Sequence, residues 1–314
     1  MTTSKTPVSI DLLIKKIAEK RNPTVAGLDP ALDLIPEFLK KNAYEKHGET
    51  LRGAAKAVLK FNKGLIDALY DIVPAVKPQS AFYEALGVEG IKALHRTCEY
   101  AKKRGMYVIL DGKRGDIGTS ASGYAAAYLS GVKAGETECV SFPVDALTVN
   151  AYLGSDGVTP FVEACEKHHK SIFVLVKTSN PSSGELQDRL VDGRPVYELM
   201  GEMCGEWGKK LFGKYGYSAV GAVVGATYPE QIKTLREMLP NTFFLIPGYG
   251  AQGASAADLT AAFDKNGLGG AVNSSRGIIA AYKKEGCDER DYAGAARREA
   301  VRMRDDITRR IICR

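Results

Sequence analysis

Eight short apolar runs separated by amphipathic stretches constrain the fold of this chain more than any other feature of its sequence. Helical patterns lie between them, for example at 51–72, 90–104 and 229–238. Strands that are apolar along their whole length are typical of a parallel sheet buried on both faces, so the alternation predicts an α/β architecture. The predicted strands are 24–28, 75–77, 107–111, 146–150, 171–177, 219–225, 242–247 and 270–273.

Eight is the number of strands that closes a barrel, and an open doubly wound sheet is the main alternative. The glycine pattern GxGxxG of a dinucleotide-binding sheet does not follow the first predicted strand, and we find no linker or shift in composition. One barrel commonly uses a chain of about this length. We therefore predict a single (β/α)8 barrel over residues 1–314, with an amphipathic N-terminal helix at about 8–20 and a helical C-terminal tail.

Composition and charge favour a cytoplasmic protein that acts on a small molecule. The N-terminus lacks the apolar stretch and cleavage site of a signal peptide, and no run is long enough to cross a membrane. The six cysteines are scattered, so neither structural zinc nor a disulfide framework is expected. The net charge of +6 comes from basic residues interleaved with acidic ones, which argues against nucleic acid as a partner.

Most predicted strands end in polar or glycine-rich residues. In a barrel all of these ends lie on one rim, where the active site is built, and their convergence predicts such a site. They are Asp29, Lys77, Asp111 with Lys113, Asn150, Ser179 with Asn180, and the loops 247–253 and 274–277.

The densest polar signal is the segment DGKRGD at 111–116, directly after an apolar strand. Asp111 and Lys113 project to the same side because side chains alternate along a strand, and Lys77 is expected beside them. A solvated charged loop is the alternative interpretation of this segment. Alternating lysines and aspartates hold one another ionised, which suits a reaction that expels a carboxylate and leaves a carbanion needing a proton.

The loops after the last two predicted strands are expected to bind phosphate, as they do in many barrels. Their glycines bring backbone N–H groups close to an anion, and Arg276 can pair with phosphate through two N–H groups. The alternative interpretation makes Arg276 a surface residue that opens the last barrel helix and Gln252 an exposed loop tip.

These segments, taken in order along the chain, resemble the orotidine 5′-phosphate decarboxylase family, in the branch with VGLDP- and VKTSNP-like motifs. The resemblance implies decarboxylation of orotidine 5′-monophosphate to UMP in pyrimidine biosynthesis, by a homodimer that needs neither a cofactor nor a metal. The matching segments are VAGLDP (25–30), VKPQSAFY (76–83), LDGKRGDIG (110–118), LTVN (147–150), FVLVKTSNP (173–181) and IPGYGAQG (246–253).

The resemblance also implies roles for the charged residues. Lys113 would donate a proton to C6 of the pyrimidine, and Asp111 would sit against the substrate carboxylate. Lys77 would hold Asp111 and the ribose hydroxyls. Asp116 would reach into the site of the partner subunit, and Asp29 would bind the ribose 3′-hydroxyl.

Further implied contacts concern the two ends of the substrate. Ser179 would bind the pyrimidine from a lid loop at 178–184, with Asn180 beside it. Gln252 and Arg276 would hold the phosphate against a wall formed by Pro247 and Gly248. The family usually has threonine where this chain has Ser120, and Thr119 precedes it. Which of these two hydroxyls contributes across the dimer interface is left open.

Two other functions remain as alternatives. A magnesium-dependent ketose-phosphate decarboxylase or aldolase of the same superfamily would share the DxKxxD element, but it typically has a carboxylate at the position of Lys77. A non-catalytic nucleotide-phosphate-binding protein would need no proton donor. Lys177 could form a Schiff base, although a role in supporting the lid is the simpler interpretation.

Overall fold

The computed structural model describes residues 8–250 and 253–312, and these form a closed barrel of eight parallel strands. Each strand is hydrogen-bonded to its neighbours in chain order, and the first strand pairs with the last, so the predicted (β/α)8 barrel is confirmed. The strands are β1 (Thr24–Leu28), β2 (Ala75–Pro78), β3 (Tyr107–Arg114), β4 (Ala146–Val149), β5 (Ser171–Lys177), β6 (Val220–Val224), β7 (Phe244–Pro247) and β8 (Gly270–Ser274).

Helices follow the strands and surround the barrel. One helix precedes β1, and a long helix lies at the C-terminal end. The α-helices are Ser9–Lys20, Glu37–His47, Leu51–Leu69, Ser80–Glu84, Gly87–Lys103, Gly118–Ala125, Ser155–His168, Gly184–Gln187, Val196–Gly208, Pro229–Met238, Arg276–Ile279, Ala281–Glu285 and Tyr292–Ile312.

Some predicted element ends are wrong by one to three residues. β3 continues beyond residue 111 because Arg114 resumes pairing with Val149 of β4. β7 begins later than predicted because the N–H of Thr242 instead closes a turn onto the Leu239 carbonyl. The sequence also did not predict two exposed hairpins, which pair Val132–Ala134 with Thr137–Cys139 and Leu190–Val191 with Arg194–Pro195.

The barrel strands bury two separate apolar surfaces. Alternate residues such as Val76, Val108 and Leu147 point outward and pack under the helices, in the larger of the two cores. The intervening residues point into the barrel. The inward set is Val25, Ala75, Tyr107, Ile109, Ala146, Phe173, Val223, Leu245 and Ala271.

The N-terminal helix belongs to the interior core of the barrel. Leu13 and Ile14 are fully buried and share the inner cluster with Tyr217 and Phe243, which flank the amino ends of β6 and β7. This end of the barrel is therefore sealed by apolar side chains, which leaves the carboxyl ends of the strands for a polar site. Within residues 8–250 and 253–312, no helix combines the length and apolarity needed to cross a membrane.

We predict that the seal contributes to stability and not to chemistry. Leu13→Ala should lower the free energy of unfolding by about 2–5 kcal/mol, because it removes a fully buried side chain from a packed core. Leu12→Ala on the same helix should cost about 1 kcal/mol or less, because Leu12 is 37% exposed. Urea denaturation measures both. Equal losses for the two variants would contradict this packing.

Candidate active site

A cavity of about 670 Å³ opens at the carboxyl ends of the barrel strands. The inward alternation of the strands produces its polar floor, because Lys77, Asp111, Thr148 and Asn273 each lie two residues beyond an apolar inward residue. The predicted residues that line it are Asp29, Lys77, Asp111, Lys113, Ser179, Asn180, Pro247, Gly248 and Arg276.

An ion-paired group lies at the centre of this floor. The Lys77 ammonium is 2.5 Å from Asp111 Oδ2, and the Lys113 ammonium is 2.6 Å from Asp111 Oδ1. The Lys77 and Asp111 side chains are 5% and 9% exposed, whereas Lys113 is 46% exposed and reaches into the open cavity. One carboxylate is thus held between two ammonium groups, one buried and one facing the cavity.

Burial alone would favour the neutral form of each of these groups. For Asp111, burial is outweighed by the charges of Lys77 and Lys113, which hold the pKa of this carboxyl well below its usual value. For Lys77, burial is likewise outweighed by Asp111 and Asp29, so the pKa of the ammonium is raised. Both members of the buried pair therefore stay charged at neutral pH.

Two buried oxygens beside this pair lack a hydrogen-bond partner among the described residues. They are Oδ1 of Asp29, which follows β1, and Oδ1 of Asn273 on the adjacent β8. Burial raises the pKa of Asp29, and the nearby Lys77 opposes this rise. Two unpaired acceptors on a cavity wall are suited to a ligand that carries hydroxyl or N–H donors.

The opposite wall of the cavity is apolar. Leu175, Val223 and Leu245, from β5, β6 and β7, line it. Leu245 and Val223 belong to the inner barrel core. A flat ring could pack against this wall while its polar edge faces the charged group, as is usual in sites that bind a ring with a few polar substituents.

The loop after β5 is anchored by Lys177 rather than left free. The Lys177 ammonium is fully buried, lies 2.7 Å from Asp188 and donates a hydrogen bond to Ser183. It also lies 4.5 Å from the centre of the Tyr228 ring. Lys177 is not among the residues that line the cavity, and its partners tie it to the loop after β5. Ser179 and Asn180 of the same loop do line the cavity.

The loops after β7 and β8 form the remaining wall. Gly248 has a φ of +108°, which only glycine adopts readily, and Arg276 begins a short helix with an exposed side chain. Tyr249 also lines the cavity, and its hydroxyl donates a hydrogen bond of 2.6 Å to Asp306 on the C-terminal helix. Gln252, which we predicted to bind phosphate, lies outside the described residues.

Asp116, Thr119, Ser120 and the strand-end residue Asn150 do not line the cavity of their own chain. The Asp116 carboxylate is half-buried and accepts a hydrogen bond from the N–H of Ile117, and Thr119 and Ser120 are exposed on the helix Gly118–Ala125. The geometry of a single chain therefore brings together Lys77, Asp111 and Lys113 without the second aspartate.

Thr148 and Asn273 lie on the cavity floor inside strands expected to be apolar, and neither was predicted from the sequence as a site residue. The available signal was the alternation of β4 and β8, in which both residues share a face with small inward alanines. No three His, Cys, Asp or Glu side chains among the residues with described structure are grouped in a way that could hold a metal ion.

A closed parallel barrel with a charged cavity at the carboxyl ends of its strands places this chain among the (β/α)8-barrel enzymes. The sequence model of the "Orotidine 5'-phosphate decarboxylase / HUMPS family" matches residues 49–286. This chain belongs to that family.

Individual relatives cover nearly the whole chain. An orotidine 5'-phosphate decarboxylase of Caldicellulosiruptor bescii is 46% identical over 273 residues, which are 87% of this chain and 90% of the relative. One from Clostridium tetani is 43% identical over 303 residues, or 96% and 98% of the two chains. The solved structure of Leishmania donovani OMP decarboxylase superposes with a TM-score of 0.72 at 30% identity, covering 97% of this chain and 99% of that one.

We predict that removing one partner of the buried Lys77–Asp111 pair destabilises the fold more than replacing both partners with apolar residues. Lys77→Met should lower the free energy of unfolding by about 3–5 kcal/mol, because it leaves a buried carboxylate with only one partner. Adding Asp111→Leu to Lys77→Met should recover part of this loss. Chemical denaturation of the single and double variants measures both effects.

The matched control is the exposed pair Lys15–Glu19, whose side chains are 58% and 56% exposed. Lys15→Met should change stability by about 1 kcal/mol or less. A Lys77→Met variant as stable as Lys15→Met would show that the pair at the cavity floor is not held out of water.

Proposed function

We propose that this chain decarboxylates orotidine 5′-monophosphate to UMP and carbon dioxide without a cofactor. One observation carries the proposal: a buried carboxylate, Asp111, is kept ionised between a buried and a cavity-facing ammonium group. Asp111 and Lys113 lie in the DGKRGD segment and Lys77 in the VKPQSAFY segment of the family resemblance, and all three line the cavity. We assign the site to a single-domain barrel with no resident metal.

The arrangement supplies one charged group for each of two steps, the loss of carbon dioxide and the protonation of C6. Asp111 places a fixed negative charge against the substrate carboxylate, and this repulsion is relieved when carbon dioxide leaves. The bond between C6 and the carboxylate breaks, and its electron pair stays on C6. Lys113 then gives an ammonium proton to C6 and becomes a neutral amine, which regains a proton from water. Lys77 holds Asp111 in place throughout.

The rest of the cavity fits the other parts of the nucleotide. Asp29 would accept a hydrogen bond from the ribose 3′-hydroxyl, because its Oδ1 is buried and has no hydrogen-bond partner in the part of the chain that the structure describes. The pyrimidine would lie against Leu175, Val223 and Leu245, with Ser179 and Asn180 closing over it. Arg276, Pro247 and Gly248 would surround the phosphate, with Gln252 completing that wall.

We further propose that two copies of the chain complete each other's sites. Exposed apolar side chains lie around the segment that carries Asp116. Ile117, the next residue, is 53% exposed. The Leu153 side chain and the Asp116 carbonyl oxygen both lie next to Gly157. Tyr152, next to Leu153, is also exposed. A partner subunit would cover this surface and receive Asp116, together with Thr119 or Ser120. The reaction would be the last step of pyrimidine nucleotide synthesis and would take place in the cytoplasm.

The proposal is tested by mixing the purified chain with orotidine 5′-monophosphate and following the loss of substrate absorbance, with and without a chelator. The rate should be the same in both. Inhibition by the chelator that magnesium reverses would contradict a reaction without a metal. The absence of any turnover would favour a ketose-phosphate enzyme or a binding protein instead. Lys77 is expected to repel a divalent cation from Asp111.

We predict that Lys113→Ala removes turnover while UMP binding, measured by calorimetry, stays within about tenfold of the native value, because a proton donor acts mainly in the transition state. Lys133→Ala is the control, since Lys133 is an exposed hairpin residue paired with Glu136. Near-native turnover by Lys113→Ala would rule out Lys113 as the proton donor.

A mixture of two inactive variants tests the shared site. Lys113→Ala and Asp116→Ala homodimers should each be nearly inactive. Random re-pairing of equal amounts makes half of the dimers mixed, and each mixed dimer has one intact site of two, so about a quarter of the native activity should return. If subunit exchange is verified and activity stays at the level of the variants, Asp116 does not act across the interface.

A further inference from the structure

Thr148 is a buried residue of β4 that neither the motifs nor the family resemblance assigns to the chemistry. Its side chain is 1% exposed and lines the cavity, on the same inward face as Ala146. Its neighbours Leu147 and Val149 point outward into the helical layer. The alternation of β4 therefore places one hydroxyl group next to the charged residues of β3.

The Thr148 hydroxyl makes two hydrogen bonds, and both go to the ion-paired group. It donates to Asp111 Oδ1 at 2.9 Å and accepts from the backbone N–H of Lys113, also at 2.9 Å. Asp111 Oδ1 is the oxygen that also receives the Lys113 ammonium. One hydroxyl thus fixes both the carboxylate and the backbone of the residue that would supply the proton.

The backbone at Lys113 needs this support. Lys113 has a φ of +45°, in the left-handed region that costs a residue with a side chain roughly 1–2 kcal/mol. The pairing of β3 with β4 is interrupted between Leu110 and Arg114, so no strand partner holds the Lys113 N–H. The Thr148 hydroxyl takes the place of that partner. With this left-handed backbone, the Lys113 ammonium lies 2.6 Å from Oδ1 of Asp111, two residues earlier.

We propose that Thr148 is a positioning residue: its hydroxyl holds Lys113 in the left-handed turn and aims its ammonium group from Asp111 toward the reacting carbon. This inference rests on the function proposed above for the same cavity. Thr148 takes no part in proton transfer. Its effect is on how often Lys113 and Asp111 adopt their productive arrangement once substrate is bound.

Two substitutions at Thr148 separate the hydroxyl from the shape of the side chain. Thr148→Val keeps the shape but loses both hydrogen bonds, whereas Thr148→Ser keeps the hydroxyl and loses a methyl group. The control is Thr24→Val in β1, because Thr24 is also fully buried in a barrel strand but its hydroxyl has no hydrogen-bond partner among the described residues. Thr24→Val should leave kinetics unchanged.

We expect Thr148→Val to lower kcat by about 10- to 100-fold with KM within about threefold, because small misplacements of a catalytic group reduce rate more than binding. Thr148→Ser should stay within about threefold of native kcat. Thermal unfolding of all three variants is measured alongside, and a structural role alone would lower the melting temperature without this separation of kcat from KM.

Native kcat in Thr148→Val, or an equal loss in Thr148→Ser, would overturn the inference. If the native chain does not decarboxylate orotidine 5′-monophosphate, the proposed function is wrong. A crystal structure of Thr148→Val then tests separately whether Thr148 positions Lys113. Lys113 should leave the left-handed region in that structure. Its retention there, with the ammonium still on Asp111, would show that Thr148 does not position it.

Discussion

The ion pairs of Asp111 with Lys77 and Lys113 are the interaction on which the rest of the site depends. A carboxylate that is 9% exposed would not stay ionised without partners, and each lysine supplies one partner for one oxygen. Because β2 and β3 are neighbours in the barrel, Lys77 and Asp111 meet across adjacent strands. Lys113 reaches the same carboxylate from a left-handed backbone conformation directly after Gly112. The chemistry is thus a consequence of strand order and of one irregular turn.

The barrel separates two environments along its axis. At the amino ends of the strands the N-terminal helix contributes Leu13 and Ile14 to a closed apolar core. In the next layer, two residues further along each strand, the inward-facing side chains are Lys77, Asp111, Thr148 and Asn273. Stability and function therefore use the same alternation but different layers, so changes in the sealed end should leave the chemistry intact. Oδ1 of Asp29 and Oδ1 of Asn273 have no hydrogen-bond partner among the described residues, and both residues line the cavity, where a ligand can satisfy them.

Much of this organisation could be predicted from the sequence because apolar runs, strand number and strand-end polarity are local signals. β1 and β5 were predicted with their observed ends, and nine predicted site residues line the cavity. Thr148 and Asn273 were not predicted, because the role of a polar residue inside a buried strand depends on which face it occupies and on what the next strand places beside it. The glycines at 112 and 115 favour a sharp turn, but the sequence does not show that Lys113 itself takes the left-handed conformation, which accompanies an interruption in pairing between β3 and β4. Asp116 acts, in our proposal, on another subunit, and its role could come only from the family resemblance.

The ionisation of Asp111 in the ligand-free protein tests the central claim most directly. Aspartate labelled with ¹³C at the carboxyl carbon gives a signal that shifts on protonation, and the Asp111 signal is assigned by its loss in Asp111→Asn. Burial opposes the charged form of this carboxyl, and Lys77 and Lys113 together hold its pKa well below the usual value. The Asp111 signal should therefore show no titration from about pH 8 down to about pH 3, whereas an ordinary aspartate titrates near pH 4. A midpoint at or above about pH 4 would mean that the two lysines do not hold Asp111 ionised, and the account of the site would be wrong.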